Sequence, residues 1–147
     1  MIHVAVVHAP YVEAILSRRK TIESRLSRVR CDPFGTVYSG ERVYFKARGG
    51  AVLATAIVAG VYSFQDLTAR RVSKIRREFG GAIGAPPEYW ESKSSARFAT
   101  LMRLADVERV RFGPRFPVFY GRAWQRLPDS SDVYPRCLHP DQRVCAG

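Results

Sequence analysis

The N-terminal part of the chain alternates apolar runs with polar turns. Residues 2–8 form an apolar run with several β-branched residues, a composition typical of a buried strand. Pro10 follows this run, and proline suits the first turn of a helix because its missing N–H has no partner there in any case. The pattern therefore predicts a first strand and then a helix over 10–18, with Val12 and Ile15 turned toward the core.

Two further strands are predicted in the middle of the chain, after a loop over 28–39. They cover residues 42–48 and 51–62, where β-branched and aromatic residues are frequent. Gly49-Gly50 lies between them, and a pair of glycines favours the tight turn of a hairpin. These two strands are therefore expected to pair with each other.

A second helix is predicted over 64–79, because apolar residues recur there at close to helical spacing. The apolar positions are Phe64, Leu67, Val72, Ile75 and Phe79, and the basic positions between them are Arg70, Arg71, Lys74, Arg76 and Arg77. Gly80-Gly81 is predicted to end the helix. The basic side is either a solvated face or a surface that follows a phosphate backbone, and the pattern fits both interpretations.

The last third of the chain predicts further strands and then a change of composition. A short turn is expected over 87–93, a strand with a bulge or a second strand over 98–112, and a final strand over 118–127. Asp, Ser, Pro and Arg dominate 128–147, which is predicted to be a poorly ordered tail. Many short strands with two or three flanking helices predict one α+β domain, a small and mostly β barrel over 1–127.

One short segment concentrates charged residues in a way that suits a binding site. Residues 20–25 read Lys-Thr-Ile-Glu-Ser-Arg and lie where a strand should begin. Successive side chains of a strand point to opposite faces, so Thr21, Glu23 and Arg25 share one face and Ile22 takes the other. Lys20 lies at the turn just before them. Such charges are common on a solvent face, but here they could also converge on a ligand.

This segment resembles the signature of the ASCH superfamily, whose members have a PUA-like β-barrel fold. The signature continues here at 40–46, which read Gly-Glu-Arg-Val-Tyr-Phe-Lys, and more weakly at 89–93, which read Tyr-Trp-Glu-Ser-Lys. The resemblance extends over residues 2–127. It departs from the family pattern at Arg18, where glycine is usual. It implies a PUA-like fold, and relatives of that fold commonly bind RNA.

Composition adds a strong positive charge and points to a reducing compartment. The chain has 24 basic against 13 acidic residues, a net charge of +11, and arginine far outnumbers lysine. Arginine binds phosphate in a bidentate manner and stacks on bases, although codon usage or solubility would give the same bias. Three cysteines are too few and too scattered for a disulfide scaffold. No apolar run reaches the roughly 18 residues of a membrane helix and no secretory signal is evident, so a cytoplasmic protein without membrane contact is predicted.

The candidate site residues surround the charged segment. Aromatic walls with a few convergent charges suit a base or a nucleotide, so the expected partner is RNA, a nucleoside or a nucleotide. Candidates for catalysis are Lys20, Glu23 and Glu91, and candidates for ligand binding are Arg25, Tyr44, Lys46, Trp90, Lys93 and Trp124. No cofactor is predicted. No metal site is predicted either, because Cys137, His139 and Cys145, with His3 or His8, lack the paired spacing of zinc sites.

Three functions remain open at this point, and the sequence does not decide whether the protein is an enzyme. The first is a module that binds RNA or a nucleotide. The second is an amidohydrolase that removes the acyl group of N4-acetylcytidine-like nucleosides, which the resemblance implies through Lys20 as nucleophile or base. There Glu91 or Glu88 would act as the second carboxylate, but Glu23 stands where those relatives have threonine. The third is a ribonuclease, in which Lys20 and Arg25 stabilise charge while Tyr44 or Glu23 transfers a proton.

Overall fold

The structure is a computed structural model that describes residues 1–111, 116 and 122–129. Strands and helices follow the predicted order closely. In chain order they are β1 (Ile2–Val7), α1 (Ala9–Leu16), β2 (Ile22–Ser27), β3 (Arg42–Ala47), β4 (Val52–Phe64), α2 (Ala69–Ile83), α3 (Pro87–Ser92), β5 (Phe98–Arg109) and β6 (Trp124–Leu127). The α+β class is confirmed, since one mostly antiparallel sheet carries three helices within the described residues.

The strands form one six-stranded sheet in the order β2-β5-β4-β3-β1-β6. Neighbouring strands are antiparallel except β1 and β3, which are parallel. The pairing of β4 with β5 shifts register twice, between Thr55 and Ile57 and between Val58 and Gly60. Such bulges increase the local twist of a strand. The sheet is accordingly curled into a half-barrel with free edges at β2 and β6, and the barrel is open between them.

The two faces of the sheet carry separate apolar clusters. On β5 the side chains alternate, so that Met102 belongs to the inner cluster with Phe45 and α1 residue Ile15. Leu101 belongs instead to the cluster under α2 and α3, with Ile83 as another of its buried members. This two-sided burial fixes β2 and β5 between the helices and the barrel interior, and β2 carries the charged segment.

Helix α2 corrects the sequence prediction at both of its ends. Residue 64 ends strand β4, and the helix begins only after Thr68, whose side chain accepts a hydrogen bond from the backbone N–H of Arg71. Gly80 and Gly81 do not end the helix. It continues to Ile83, whose fully buried side chain outweighs the poor helix propensity of two glycines, and it ends at Gly84.

Other boundaries differ from the predictions less strongly. The segment over 98–112 is a single long strand, β5, and its bulges are those of the β4–β5 pairing. The last strand, predicted over 118–127, is observed only at Trp124–Leu127, and residues 117–121 lie outside the described part of the chain. Most of the predicted tail, 130–147, also lies outside it. None of the helices in the described ranges is long and apolar enough to cross a membrane.

Candidate functional site

A cleft of about 1150 Å³ lies along the opening of the half-barrel. Its lining comes from β2, from the β1–β6 edge on the opposite side, and from α3. Small-molecule sites usually enclose about 300–1,000 Å³, so this cleft has room for more than one nucleotide unit. The charged segment of β2 provides its floor.

Glu23 is the central residue of that floor. Its side chain is 5% exposed, and its Oε1 accepts a hydrogen bond from Arg25 Nε at 3.1 Å. Its other oxygen, Oε2, lies 3.9 Å from the Lys20 ammonium and has no hydrogen-bond partner. The carboxylate is therefore compensated by a cation on each side, yet one of its oxygens remains unpaired.

Arg25 spans the opening of the barrel. Besides its bond to Glu23, it donates from Nη2 to the carbonyl oxygen of Val6 at 3.2 Å and from Nη1 to that of Ala123 at 3.4 Å. Its guanidinium carbon also lies 5.3 Å from the centre of the Trp124 ring. A planar fork of donors is suited to this task, and its nitrogens are largely occupied by the protein itself.

Lys20 lies behind the floor and does not line the cleft. It is 4% exposed, and Nζ donates to the carbonyl oxygen of Ile83, near the end of α2, at 2.7 Å. Burial lowers the pKa of this lysine, while Glu23 opposes that effect and Arg25 adds to it. The Tyr11 ring covers the ammonium from the cleft side, with its centre 5.4 Å from Nζ.

A second buried polar atom in the cleft lacks a partner. Thr100 is 1% exposed and lines the cleft, and its Oγ1 has no hydrogen bond. It stands directly opposite Arg25 in the β2–β5 register, while Glu23 stands opposite Met102. Directly paired residues share a face of the sheet, so Thr100 and Glu23 are diagonal neighbours on the same face.

One wall comes from Tyr89 of helix α3 and from Lys93, the residue directly after that helix. The hydroxyl of Tyr89 lies 2.9 Å from Ser24 Oγ, and burial raises the pKa of Tyr89 to about 12. The ammonium of Lys93 lies 5.6 Å from the centre of the Tyr89 ring. Burial and the charge of Arg25 lower the pKa of Lys93. This wall therefore combines an aromatic ring with a half-buried cation.

The mouth of the cleft is basic and aromatic. Arg48 and Arg122 are exposed there, and among the described residues neither side chain contacts an acidic group. His8 and Phe34 also line the cleft near its rim. The cleft thus has an unpaired carboxylate oxygen in its floor and exposed arginines at its mouth, and the exposed carboxylate of Glu88 also lines it.

The structure brings some of the sequence candidates together and separates others. Glu23, Arg25, Lys93 and Trp124 line the cleft, and Lys20 lies just behind it. The remaining candidates lie elsewhere: Tyr44 packs near Phe116, Lys46 is half-buried on β3, Trp90 belongs to the cluster under α2 and α3, and Glu91 is exposed on α3. None of these four lines the cleft.

Trp124 has a structural task as well as a place in the cleft. Its indole Nε1 donates to Nδ1 of the fully buried His3 at 3.1 Å. His3 Nδ1 is thereby an acceptor, so the proton of the neutral ring lies on Nε2, which is 3.1 Å from Glu41 Oε1. This chain of hydrogen bonds fixes the β6 side of the cleft.

Sequence reasoning missed Thr100, Tyr11, Tyr89 and Ser24 as site residues. Thr100 gives no local signal, because only the strand register reveals that it faces Arg25. Tyr89 lies within the segment that resembles the ASCH signature, but the sequence pattern favours its larger neighbour Trp90 as a wall of the site. Helical geometry decides between the two, since Trp90 is 4% exposed under the helix and Tyr89 faces the cleft.

No group of side chains suited to hold a metal ion occurs in the described ranges 1–111, 116 and 122–129. The candidates Cys137, His139 and Cys145 lie outside those ranges. His3 is committed to Trp124 and Glu41, and the ring of His8 lies 6.2 Å from that of Tyr11.

Comparison with known proteins gives a match of fold. No protein-family model and no curated protein sequence matches the chain. The crystal structure of ASCH from Zymomonas mobilis superposes with a TM-score of 0.59 at 17% identity, over 75% of this chain and 71% of that one. A serine-to-alanine variant of the same protein gives a TM-score of 0.62 at 16% identity, over 87% of this chain and 89% of that one. A tyrosine-to-phenylalanine variant gives 0.60 at 18%, over 75% and 73%. The chain therefore has the ASCH-domain fold, as its sequence resemblance implied.

Proposed function

We propose that this chain binds RNA or a nucleotide in the cleft along the opening of the half-barrel. The observation that carries the proposal is the cleft itself, in which aromatic rings and a polar floor lie beneath a mouth with exposed cations. Aromatic walls suit stacking of bases, and exposed arginines suit phosphate. The net charge of +11 supports attraction of a polyanion from solution.

The hydrolytic alternatives have weaker support. Lys20, the proposed nucleophile, donates to the Ile83 carbonyl and is screened from the cleft by Tyr11. Of the two candidates for the second carboxylate, Glu91 does not line the cleft, whereas Glu88 does. Amidohydrolase and ribonuclease activity therefore remain predictions. Incubation with N4-acetylcytidine and with RNA, followed by mass spectrometry of the products, tests both.

The cytoplasm remains the proposed compartment, because the few and scattered cysteines are typical of a protein in a reducing environment.

The experiment for binding is a titration of labelled, mixed-sequence single-stranded RNA at several salt concentrations. We expect the logarithm of the affinity to fall linearly with the logarithm of salt, with a slope of about −0.7 for each phosphate neutralised. Replacing Arg48 and Arg122 by glutamine should make that slope shallower by about one unit or more, because two cations at the mouth are lost.

The matched comparison removes the same charge from the other basic surface of the molecule. Arg70 and Arg77 are exposed on α2, so Arg70→Gln with Arg77→Gln changes the net charge equally. A slope that changes only in the Arg48/Arg122 variant supports the cleft. A change confined to the α2 variant would move the RNA to the helix and overturn the assignment to the cleft.

A further inference from the structure

We propose that the cleft receives a base by an edge that carries an exocyclic amino group, with Glu23 as the acceptor, so that cytosine is preferred to uracil. The inference rests on the proposed function and names the class of base that the cleft takes. It starts from the two buried polar atoms of the floor that have no hydrogen-bond partner, Glu23 Oε2, which lies 3.9 Å from the Lys20 ammonium, and Thr100 Oγ1.

An unpaired buried acceptor is unusual enough to need an explanation. Most buried polar side-chain atoms in proteins have a hydrogen-bond partner, and leaving one without a partner destabilises the folded state. Glu23 and Thr100 lie on one face of the β2–β5 pair and both line the cleft. A ligand that brings an N–H donor to this place would satisfy Oε2, and Oγ1 of Thr100 can accept a second N–H.

The cations of the floor are not free to bind phosphate in its place. Arg25 donates to Glu23, Val6 and Ala123, and Lys20 donates to the Ile83 carbonyl. The exposed cations that have no acidic partner are at the mouth, as Arg48 and Arg122, and the half-buried Lys93 lies in the wall beside Tyr89. The polarity of the cleft therefore orients a nucleotide with its phosphate outward and its base toward the Glu23 carboxylate.

The chemistry of the bases then decides which of them fits. Cytosine presents the N4 amino group, and a carboxylate is a natural acceptor for it. Adenine and guanine also carry exocyclic amino groups. Uracil has a carbonyl oxygen at the position of the cytosine amino group, and its N3–H lies between two carbonyl oxygens that a carboxylate repels. A site built to accept an N–H rejects an analogue without it, because its own buried group then stays unpaired.

Contact with Oε2 requires a small movement of the glutamate. The atom is buried, although the residue lines the cleft. The last torsion of a glutamate side chain is broad, so the carboxylate can turn toward an incoming donor at low cost. Arg25 Nε can bond either carboxylate oxygen and would remain paired during such a turn.

The test compares oligocytidylate with oligouridylate of the same length in titrations with the intact chain. Equal length gives equal numbers of phosphates, so the affinity ratio reports the base alone. We expect oligocytidylate to bind about tenfold or more tightly, in line with hydrogen bonds to a charged group. In the Glu23→Gln variant the ratio of the affinity for oligocytidylate to that for oligouridylate should fall toward one or invert, since an amide N–H can donate to the uracil oxygen. Glu13→Gln, an exposed residue outside the cleft, makes the same charge change and should keep the wild-type ratio.

A second variant covers the case in which Glu23→Gln does not fold. Thr100→Val has nearly the same shape and removes only the unpaired hydroxyl, so it should weaken oligocytidylate several-fold and leave oligouridylate unchanged. Equal affinity for the two oligonucleotides in the wild type would overturn this inference and leave RNA binding intact. An unchanged preference in Glu23→Gln would also overturn it. Absence of binding to either oligonucleotide would overturn the proposed function together with this inference.

Discussion

Arg25 on strand β2 donates a hydrogen bond to the carbonyl oxygen of Val6 on strand β1 at 3.2 Å, across the open side of the half-barrel. The two strands are not neighbours in the sheet, since β5, β4 and β3 lie between them in its order. One side chain thus connects two strands that are far apart in the sheet order. It does so at the opening, where the two ends of the sheet are not paired with each other. Glu23 holds the guanidinium from behind through its bond to Nε.

This relationship gives the charged segment of β2 a structural task. A salt bridge at a surface contributes little, but here Glu23 is buried, Arg25 is partly buried, and the guanidinium also donates to two backbone carbonyls across the opening. The same contacts that connect the two sides of the opening also orient the Glu23 carboxylate in the cleft. The residues of the proposed binding site therefore also stabilise the fold.

Arg25→Lys tests that task directly. Lysine keeps the charge but has a single nitrogen, which cannot reach Glu23, Val6 and Ala123 together. We expect the free energy of unfolding to fall by about 1–3 kcal/mol, measured by urea denaturation. Arg48→Lys, at the mouth of the same cleft, is the control and should change it by less than about 0.5 kcal/mol. Equal stability of the two variants would contradict the role of Arg25 as a bridge.

Lys20→Met tests the other cationic neighbour of Glu23. Methionine keeps the length of the side chain, but it leaves the Ile83 carbonyl without its donor and Glu23 with Arg25 alone. We expect a loss of about 1–3 kcal/mol at neutral pH, because a buried charge becomes less well compensated. The double variant Lys20→Met/Glu23→Gln should lose less than the sum of the single losses. If the loss of unfolding free energy in the double variant equals the sum of the two single losses, the two side chains do not interact.

The raised pKa of Tyr89 predicts how the stability of the folded chain changes at alkaline pH. Its pKa is raised from 10 to about 12 in the folded state, so above pH 10 the folded chain keeps a proton that the unfolded chain releases. The contribution of this proton to the free energy of unfolding is complete below pH 10, and it is lost as the pH rises toward 12. Over that interval it amounts to about 2–3 kcal/mol.

Tyr89→Phe removes this contribution and should flatten the alkaline part of the stability curve. Urea denaturation at pH values on both sides of 10 measures the difference from the wild type. At neutral pH the variant should lose only about 1 kcal/mol, for the bond to Ser24. Tyr38→Phe, at a largely exposed tyrosine, should follow the wild-type curve. A Tyr89→Phe curve parallel to the wild type would mean that the hydroxyl is not buried.

Two glycines of α2 give opposite predictions for the same substitution. Gly84 ends the helix at φ +66°, and the backbone carbonyl of Arg19 and the Lys20 side chain lie near it. Gly84→Ala should cost about 1 kcal/mol, because alanine is strained in that conformation. Gly81 is inside the helix with open space around it, so Gly81→Ala should stabilise by about 0.5–1 kcal/mol. Thermal unfolding measures both, and a stabilising Gly84→Ala would contradict the observed end of α2.

The sequence by itself determined the fold class, the approximate order of strands and helices, and the segment of β2 that carries the candidate site. Each of these depends on local signals. Period-two and helical spacing of apolar residues are read within one element, and turn residues mark where elements end. The charge distribution and the resemblance of residues 20–25 to the ASCH signature were also visible without coordinates.

Only the tertiary structure decided how those residues are used. Trp90 and Trp124 are equally apolar in sequence, yet one packs under the helices and the other lines the cleft. Thr100 faces Arg25 because β2 pairs with β5 in one register. Helix α2 continues beyond Gly80 and Gly81 because Ile83 is buried in the core. The contact of Arg25 with Val6 depends on the curl of the whole sheet. Such contacts join residues far apart in the chain, and no local pattern encodes them.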